Sequence, residues 1–379
     1  MRVQILQGVD VAGEAPGLMA DAGLVLVFAS RNTLIGSTTV DRIRHAFAGA
    51  VICGCSTGGQ IAGYELHDED AVVMALRFDH SQVHLAQEDL SGPGSSRACG
   101  EALGSALSRP DLAGVLVFAD GLCVNGNELV EGLATTIGQD VVIAGGMAAD
   151  GEAFASTVIV ANDIVASGLA AAIGFYGPGF RMHTGIGSGW QVFGPRRRVT
   201  RADGNRVYEL DGEPILDLYR RYLDDEDFAG LPRAGLLFPL QISSGEAPEQ
   251  TAIRAVLGID RDERAMIFGG DIPVGSIAQL MRGTSERLVD GAAEAAAHAL
   301  DGSSIIDASA TAAILVSCIG RRLLMGSRIE EEIASVGDVL EEIPRAGFYS
   351  LGEISPFRGT RRPGLHNETM TVITLAEEA

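Results

Sequence analysis

Basic residues are scarce: 28 Lys and Arg stand against 50 Asp and Glu in 379 residues, a formal net charge of −22. Such a surface repels a phosphate backbone, which argues against nucleic acid as a partner. It argues equally against docking on an anionic membrane. Cysteines number five, Cys53, Cys55, Cys99, Cys123 and Cys318, an odd count without a CxxC pair for zinc. Most lie in apolar runs, where a free cysteine behaves as a small hydrophobe, and that usage fits a reducing compartment. No secretory signal is evident, because Asp10 and Glu14 interrupt the N-terminal stretch. The longest apolar region, 156–177, is broken by Asn162 and Asp163 and reads as paired strands around a turn rather than a membrane span. A cytoplasmic location is expected. No GxGxxG follows the first strand and no P-loop is present, which disfavours a doubly wound dinucleotide fold.

What is present is a globular composition, 46% hydrophobic and 21% charged, at a length that favours two domains. The chain also repeats itself. LVLVFA at 24–29 is a continuous apolar strand of the buried kind. A helix around Thr38 to Phe47, a strand AVICGCST at 50–57, a turn GGQIAG and a strand AVVMALRF at 71–78 follow. The succession returns as VLVFA at 115–119, a helix around Asn127 to Ile137, DVVIAGG at 140–146 and STVIVAN at 156–162. A third instance runs from AAILVSC at 312–318 through a helix around Ile329 to Val336, AGFYSLGEI at 346–354 and NETMTVITL at 367–375. Ala-rich helices at 95–107 and 285–300 precede the second and third. Strand–helix–strand order implies right-handed, partly parallel pairing. The fold expected is an internally duplicated α/β sandwich with mixed, partly parallel sheets and two related domains, 1–222 and 233–379. They join at the charged, proline-broken stretch YLDDEDFAGLP.

Ligands in such sheets sit outside the carboxyl ends of parallel strands, where small residues admit a ligand to the backbone. Three strand ends qualify: Cys53 to Gly59, Ala144 to Met147, and Tyr349 to Glu353. After Glu353, a loop carrying Arg358, Arg361 and Arg362 leads to His366 and Asn367. These two either join Glu353 at one site or satisfy backbone groups at a loop closure. Arg321 and Arg322 follow the strand ending at Cys318, and arginines there suit a carboxylate. The ligand-binding set read from the sequence is Cys55, Ser56, Thr57, Gly146, Asp150, Cys318, Arg321, Glu353, His366 and Asn367. No catalytic residue is assigned. Cys55 with a distant histidine lacks a nucleophile signature. The acidic runs Asp224-Asp225 and Glu330-Glu331-Glu332 read as exposed surface. His80 and His84 have i, i+4 spacing without a third ligand, so no metal site is expected.

GCSTGGQIAG at 54–63, VFADG at 117–121, AGGMAADG at 144–151 and VTRADGNRVYELDGEP at 199–214 resemble the N-terminal FIST domain. FPLQI at 238–242, SCIGR at 317–321 and GFYSLGEI with LHNETMTVITL, through Leu375, resemble the C-terminal FIST domain. Gln60 departs from the pattern, standing where the family carries a glutamate; Glu353 keeps the acid in the C-terminal counterpart. The resemblance implies a sensory module for a small ligand, an amino acid being the usual proposal. Its alternative is a haem protein reporting nitric oxide to a partner histidine kinase. His366 would be the axial ligand, although one Trp and 5% aromatics are a poor basis for a haem pocket. A small-molecule hydrolase is a weaker alternative. Both FIST halves occupy the chain, so the expected signal passes by contact to a separate protein.

Overall fold

The computed structural model describes residues 1–8, 17–36, 38–90, 95–138, 140–243, 251–301 and 310–378. Asp10 and Glu14, invoked above against a signal segment, lie outside them. Three six-stranded sheets share one strand order. In the first, Leu24–Ala29 and Val51–Ser56 pair in parallel; in the second, Leu112–Ala119 and Val142–Met147; in the third, Thr311–Cys318 and Arg345–Ser350. Each parallel pair is flanked by an antiparallel strand (Val72–Arg77, Leu169–Tyr176 or Met370–Glu377) and by an edge strand, Arg2–Gln7, Gln82–Asp89 or Phe180–Gly187. Leu24–Ala29 and Thr311–Cys318 are buried along their whole length, as continuous apolar runs require when both faces are covered. Mixed, partly parallel sheets and a repeated α/β unit are thus the observed architecture, as expected.

Each sheet is completed by a hairpin from a different unit. Gln60–Ala62 and Glu65–His67, which follow the first parallel pair, join the third sheet against Arg345–Ser350. Ile159–Ala161 and Ile164–Ala166, which follow the second, join the first sheet. Gly352–Pro356 and Pro363–His366, which follow the third, join the second. The exchange closes a three-way cycle. It corrects three readings: GGQIAG contains a strand, AGFYSLGEI is two strands in two sheets broken at Leu351, and His366 ends a strand while the last strand starts at Met370. STVIVAN forms a strand only over Ile159–Ala161.

The inner faces meet on three rings, one from each unit. Phe28, Phe118 and Phe348 have centroids 5.0 to 5.9 Å apart. Close sheet packing explains a glycine in each second strand. A Cβ at Gly54, Gly145 or Gly347 would lie 1.9, 1.9 or 2.0 Å from the carbonyl oxygen of Val27, Val117 or Leu315, so only glycine fits. Between Phe180–Gly187 and the helix Ser285–Asp301 the third unit carries an insertion, a fourth sheet of nine strands from Gln191 to Arg282. The stretch YLDDEDFAGLP lies inside this insertion, between its strands Glu213–Pro214 and Leu240–Ser243.

Candidate functional site

The carboxyl ends of strands from all three units open into one cleft of ≈ 370 Å³. Ser30, Arg31 and Asn32 follow the strand Leu24–Ala29, and Thr57, Gly58 and Gly59 follow Val51–Ser56. The 150–156 loop closes a third side, and Ile319, Arg322 and Leu323 of the helix Ile319–Met325 a fourth. Thr57 and Asp150 of the sequence-predicted set are on this wall. The Asp150 carboxylate accepts from the backbone N–H groups of Phe154, Ala155 and Ser156 at 3.0, 2.7 and 2.8 Å, which shapes the loop. Ser56 stands behind, its Oγ accepting from Val158 N at 3.0 Å and its carbonyl from Ala149 N at 2.8 Å.

The other predicted residues lie elsewhere. Cys55 and Gly146 are core positions; a Cβ at Gly146 would be 2.6 Å from Val316. Burial pushes the Cys55 thiol well above its ordinary value. Cys318 is raised too, first by burial and then by Glu353 and Glu368. Arg321 is fully buried: its guanidinium donates to Glu332 Oε1 at 2.6 Å, to the Leu288 carbonyl at 2.7 Å and to the Ser188 carbonyl. Glu332 Oε2 also accepts from Ser317 Oγ at 3.1 Å and from the Tyr349 hydroxyl at 2.9 Å. Asn367 Oδ1 accepts from Ala255 N and its Nδ2 donates to the Leu351 carbonyl, both at 3.4 Å, tying the insertion to the core. His366 sits at a second cavity, described below. The C-terminal carboxylate, imidazole and amide therefore do not converge on the cleft.

Sequence reasoning passed over Arg31 and Asp120, and paired Arg322 with Arg321. Arg322 donates to both Asp68 oxygens, at 2.7 and 2.9 Å, and to the Gly58 carbonyl, with its guanidinium 5.8 Å from the Tyr349 ring centroid. Arg31 Nε is buried without a partner, and Arg31 has no ion pair among the described residues. The signal available was its position, directly after a buried strand in a chain poor in cations. Asp120 closes the equivalent end of the second unit, accepting from Thr157 Oγ1 at 2.6 Å and from Gly168 N at 2.7 Å. Gln60 acts from behind the cleft. With its amide oxygen toward Ser30 N (2.7 Å) and the Thr57 hydroxyl (3.1 Å), its nitrogen donates to the His67 carbonyl. A carboxylate has no hydrogen to give that carbonyl, which accounts for an amide here.

Glu353 is its counterpart, accepting from Ser350 Oγ at 2.6 Å and from Thr369 Oγ1 at 2.8 Å. Burial pushes its carboxyl up from 4.5 to about 8, against the pull of those hydrogen bonds. Glu368 beside it is raised as well, by burial and then by Glu353, and neither of its oxygens has a partner among the described residues. A carboxyl raised on folding binds protons more tightly in the native state, so its stabilisation is complete below 4.5 and lost as pH climbs through about 8. Chemical denaturation should therefore show stability falling across that window, and Glu353→Gln should flatten the slope. An unchanged slope in the variant would rule out Glu353 as its source.

Two family models match the sequence, the FIST N domain over residues 23–213 and the FIST C domain over 216–356. The chain belongs to the FIST family. FIST domains are recognised as sensory and signal-transduction domains. Uncharacterized proteins of Mycobacterium bovis and Mycobacterium tuberculosis are each 26% identical over 379 residues, covering 97% of this FIST chain and 93% of theirs. A second M. tuberculosis protein is 27% identical over 365 residues, covering 92% and 89%. A solved cyanuric acid hydrolase from A. caulinodans aligns over 100% of this chain and 99% of its own, at 7% identity and a TM-score of 0.38; that similarity says nothing about chemistry here. Among the described residues no helix is long and apolar enough to cross a membrane.

Proposed function

We propose that this FIST protein senses an amino acid bound in the cleft where the three units meet, and signals by contact with a separate protein such as a histidine kinase. One observation carries the reading: Arg31 lines the cleft with a buried Nε that has no partner among the described residues. A guanidinium in that state is suited to a carboxylate. Asp68, paired with Arg322, and Glu152, paired with Arg233, also line the cleft, and their remaining lone pairs are the acceptors for an ammonium group. A ligand there touches all three units at once, so occupancy is felt by every sheet.

A binding role is favoured over catalysis by the chemistry of the lining. The sequence contains no lysine, so neither a Schiff base nor a lysine general base is available to it. Cys55 lies in the core with its thiol held protonated by burial, the opposite of an activated nucleophile. The haem alternative does not fit the residues present. His366 Nε2 lies 3.0 Å from the Ser355 carbonyl, and the Phe357 ring packs edge-on at 4.8 Å. Nε2 is thereby spent, and an iron would have to bind through Nδ1 of an imidazole that is 4% exposed and edge-packed by Phe357.

Arg31→Ala should weaken amino-acid binding by ten- to a hundredfold, from loss of one charge-assisted pairing worth about 1.5–3 kcal/mol. Its melting temperature without ligand should stay within a few degrees of wild type, since Arg31 holds no ion pair among the described residues. Titration calorimetry of both proteins checks this, and equal affinities would remove the cleft from the reading.

A further inference from the structure

The strand Phe180–Gly187 is the outermost of the third sheet, and the ladder beside it shows which of its backbone groups are free. Its register against Met370–Glu377 sets Gly187 opposite Met370, Gly185 opposite Val372 and His183 opposite Thr374. Glu378 N donates to the Gly179 carbonyl in the same ladder, so the odd-numbered residues exchange its hydrogen bonds. The other flank of Met370–Glu377 agrees. Cys318 N donates to the Thr369 carbonyl, which gives Thr371 and Ile373 to the strand Thr311–Cys318. Thr184 and Ile186 therefore turn their N–H and C=O groups away from the sheet, where they have no partner among the described residues.

Two adjoining cavities, of ≈ 430 and ≈ 420 Å³, open along this edge, with Ile186, Phe357 and Arg358 lining both. His366 lines the first and Thr184 the second. One wall is the helix Ser285–Asp301 and the other the 356–360 segment. The helix keeps step with the strand. A Cβ at Gly185 would be 1.9 Å from the Ala295 carbonyl oxygen, and one at Gly187 would be 1.9 Å from that of Gly291. Two strand residues thus match about one helical turn. Toward the groove this helix presents Asp290, Glu294 and Asp301, with Arg287 at one end. Glu286 of the same helix pairs with Arg328, whereas those three carboxylates have no ion pair among the described residues.

We propose that an extended basic segment of a partner protein adds to the third sheet at this edge as a single strand. The N–H and C=O groups of Thr184 and Ile186 hold its backbone, and such main-chain bonds are the source of affinity when a strand is added to a sheet. Its charge follows from the helix. Asp290 and Glu294 are about 6 Å apart along the helix axis, and alternate side chains of a strand are about 6.8 Å apart. Basic residues at every second position therefore meet them in turn. The acidic excess of the whole chain draws the same segment. Phe357 on the opposite wall suits apolar residues at the intervening positions. Arg358 Nη2 donates to His298 Nε2 at 2.9 Å, bridging the two walls. That bond is exposed, and the entering strand displaces it. A recess flanked by a helix on one side and a chain segment on the other admits one strand rather than the edge of a second folded copy. The surface shares no residue with the amino-acid cleft, so each can fail alone.

The probe is a short, end-capped, fluorescein-labelled peptide alternating lysine and valine, titrated with the full-length protein. Its anisotropy should rise saturably at physiological ionic strength. The same peptide with every amide N-methylated should bind at least about tenfold more weakly, the order of one net hydrogen bond. A peptide with glutamate in place of lysine should bind more weakly still. Asp290→Asn combined with Glu294→Gln should weaken the lysine peptide at least about threefold, as two exposed ion pairs allow. Ile186→Pro removes an N–H that the sheet does not use, so the fold should keep its melting temperature within a few degrees while peptide binding falls at least about tenfold. Absence of saturable binding overturns the proposal, as does equal affinity for the N-methylated or the glutamate peptide; neither needs a variant to fold. A dimer in gel filtration that Ile186→Pro abolishes would assign the edge to a second copy and overturn it too.

Discussion

Arg321→Met is expected to lose about 3–5 kcal/mol of folding stability, the cost of breaking a buried ion pair by removing one partner. The variant strips Glu332 of its cation in a fully buried setting and frees the Ser188 and Leu288 carbonyls. Those carbonyls belong to the segment entering the insertion and to the helix Ser285–Asp301, so one side chain fastens both to the core. The double variant Arg321→Met, Glu332→Gln should recover part of the loss, because no uncompensated charge remains. Urea midpoints of the four proteins in the cycle measure the coupling. Additive losses would mean that the pair contributes nothing as a pair. Arg321 was expected from sequence to hold ligand; this geometry gives it a structural task and leaves the cleft to Arg31 and Arg322.

Separately expressed fragments 1–222 and 233–379 are each expected to lack a cooperative unfolding transition. The first lacks the hairpin Gly352–Pro356 and Pro363–His366 that completes the second sheet. It also exposes Phe180–Gly187, whose partner Met370–Glu377 belongs to the second fragment. The second fragment lacks the hairpin against Arg345–Ser350. Unpaired edges and open apolar faces leave each piece without its core. Co-expression should restore a complex that melts as one unit, followed by circular dichroism and gel filtration. A cooperative transition in fragment 1–222 alone would show that the exchanged hairpins are dispensable.

The parallel pairs were legible because a strand covered on both faces must be apolar throughout, and LVLVFA, VLVFA and AAILVSC say so directly. The three-way exchange was not. Its strands are as short as three residues, as in Gln60–Ala62 and Ile159–Ala161, and no local pattern names a partner strand far away in the chain. The cleft was half legible. Thr57 came from small residues at a strand end, which mark close backbone approach, and Asp150 from the AGGMAADG motif that carries the family resemblance. Arg321 and Arg322 illustrate the limit. Adjacent helical residues point about 100° apart, so one guanidinium went inward to Glu332 and the other outward to Asp68. Which is which depends on the helix orientation, and that is set by tertiary packing.

The central claim is that the cleft shared by the three units holds an amino acid through Arg31. Its most direct test is a thermal-shift titration of wild type and Arg31→Ala with the proteinogenic amino acids, each beside its decarboxylated amine. Binding linkage raises the melting point in proportion to ln(1 + [L]/Kd), about 2.7 kcal/mol at a hundredfold excess over Kd. The account expects one class of amino acid to stabilise wild type, its amine to fail, and Arg31→Ala to gain no more than about half the wild-type stabilisation from the acid. Equal stabilisation of both proteins, or by acid and amine alike, would contradict it.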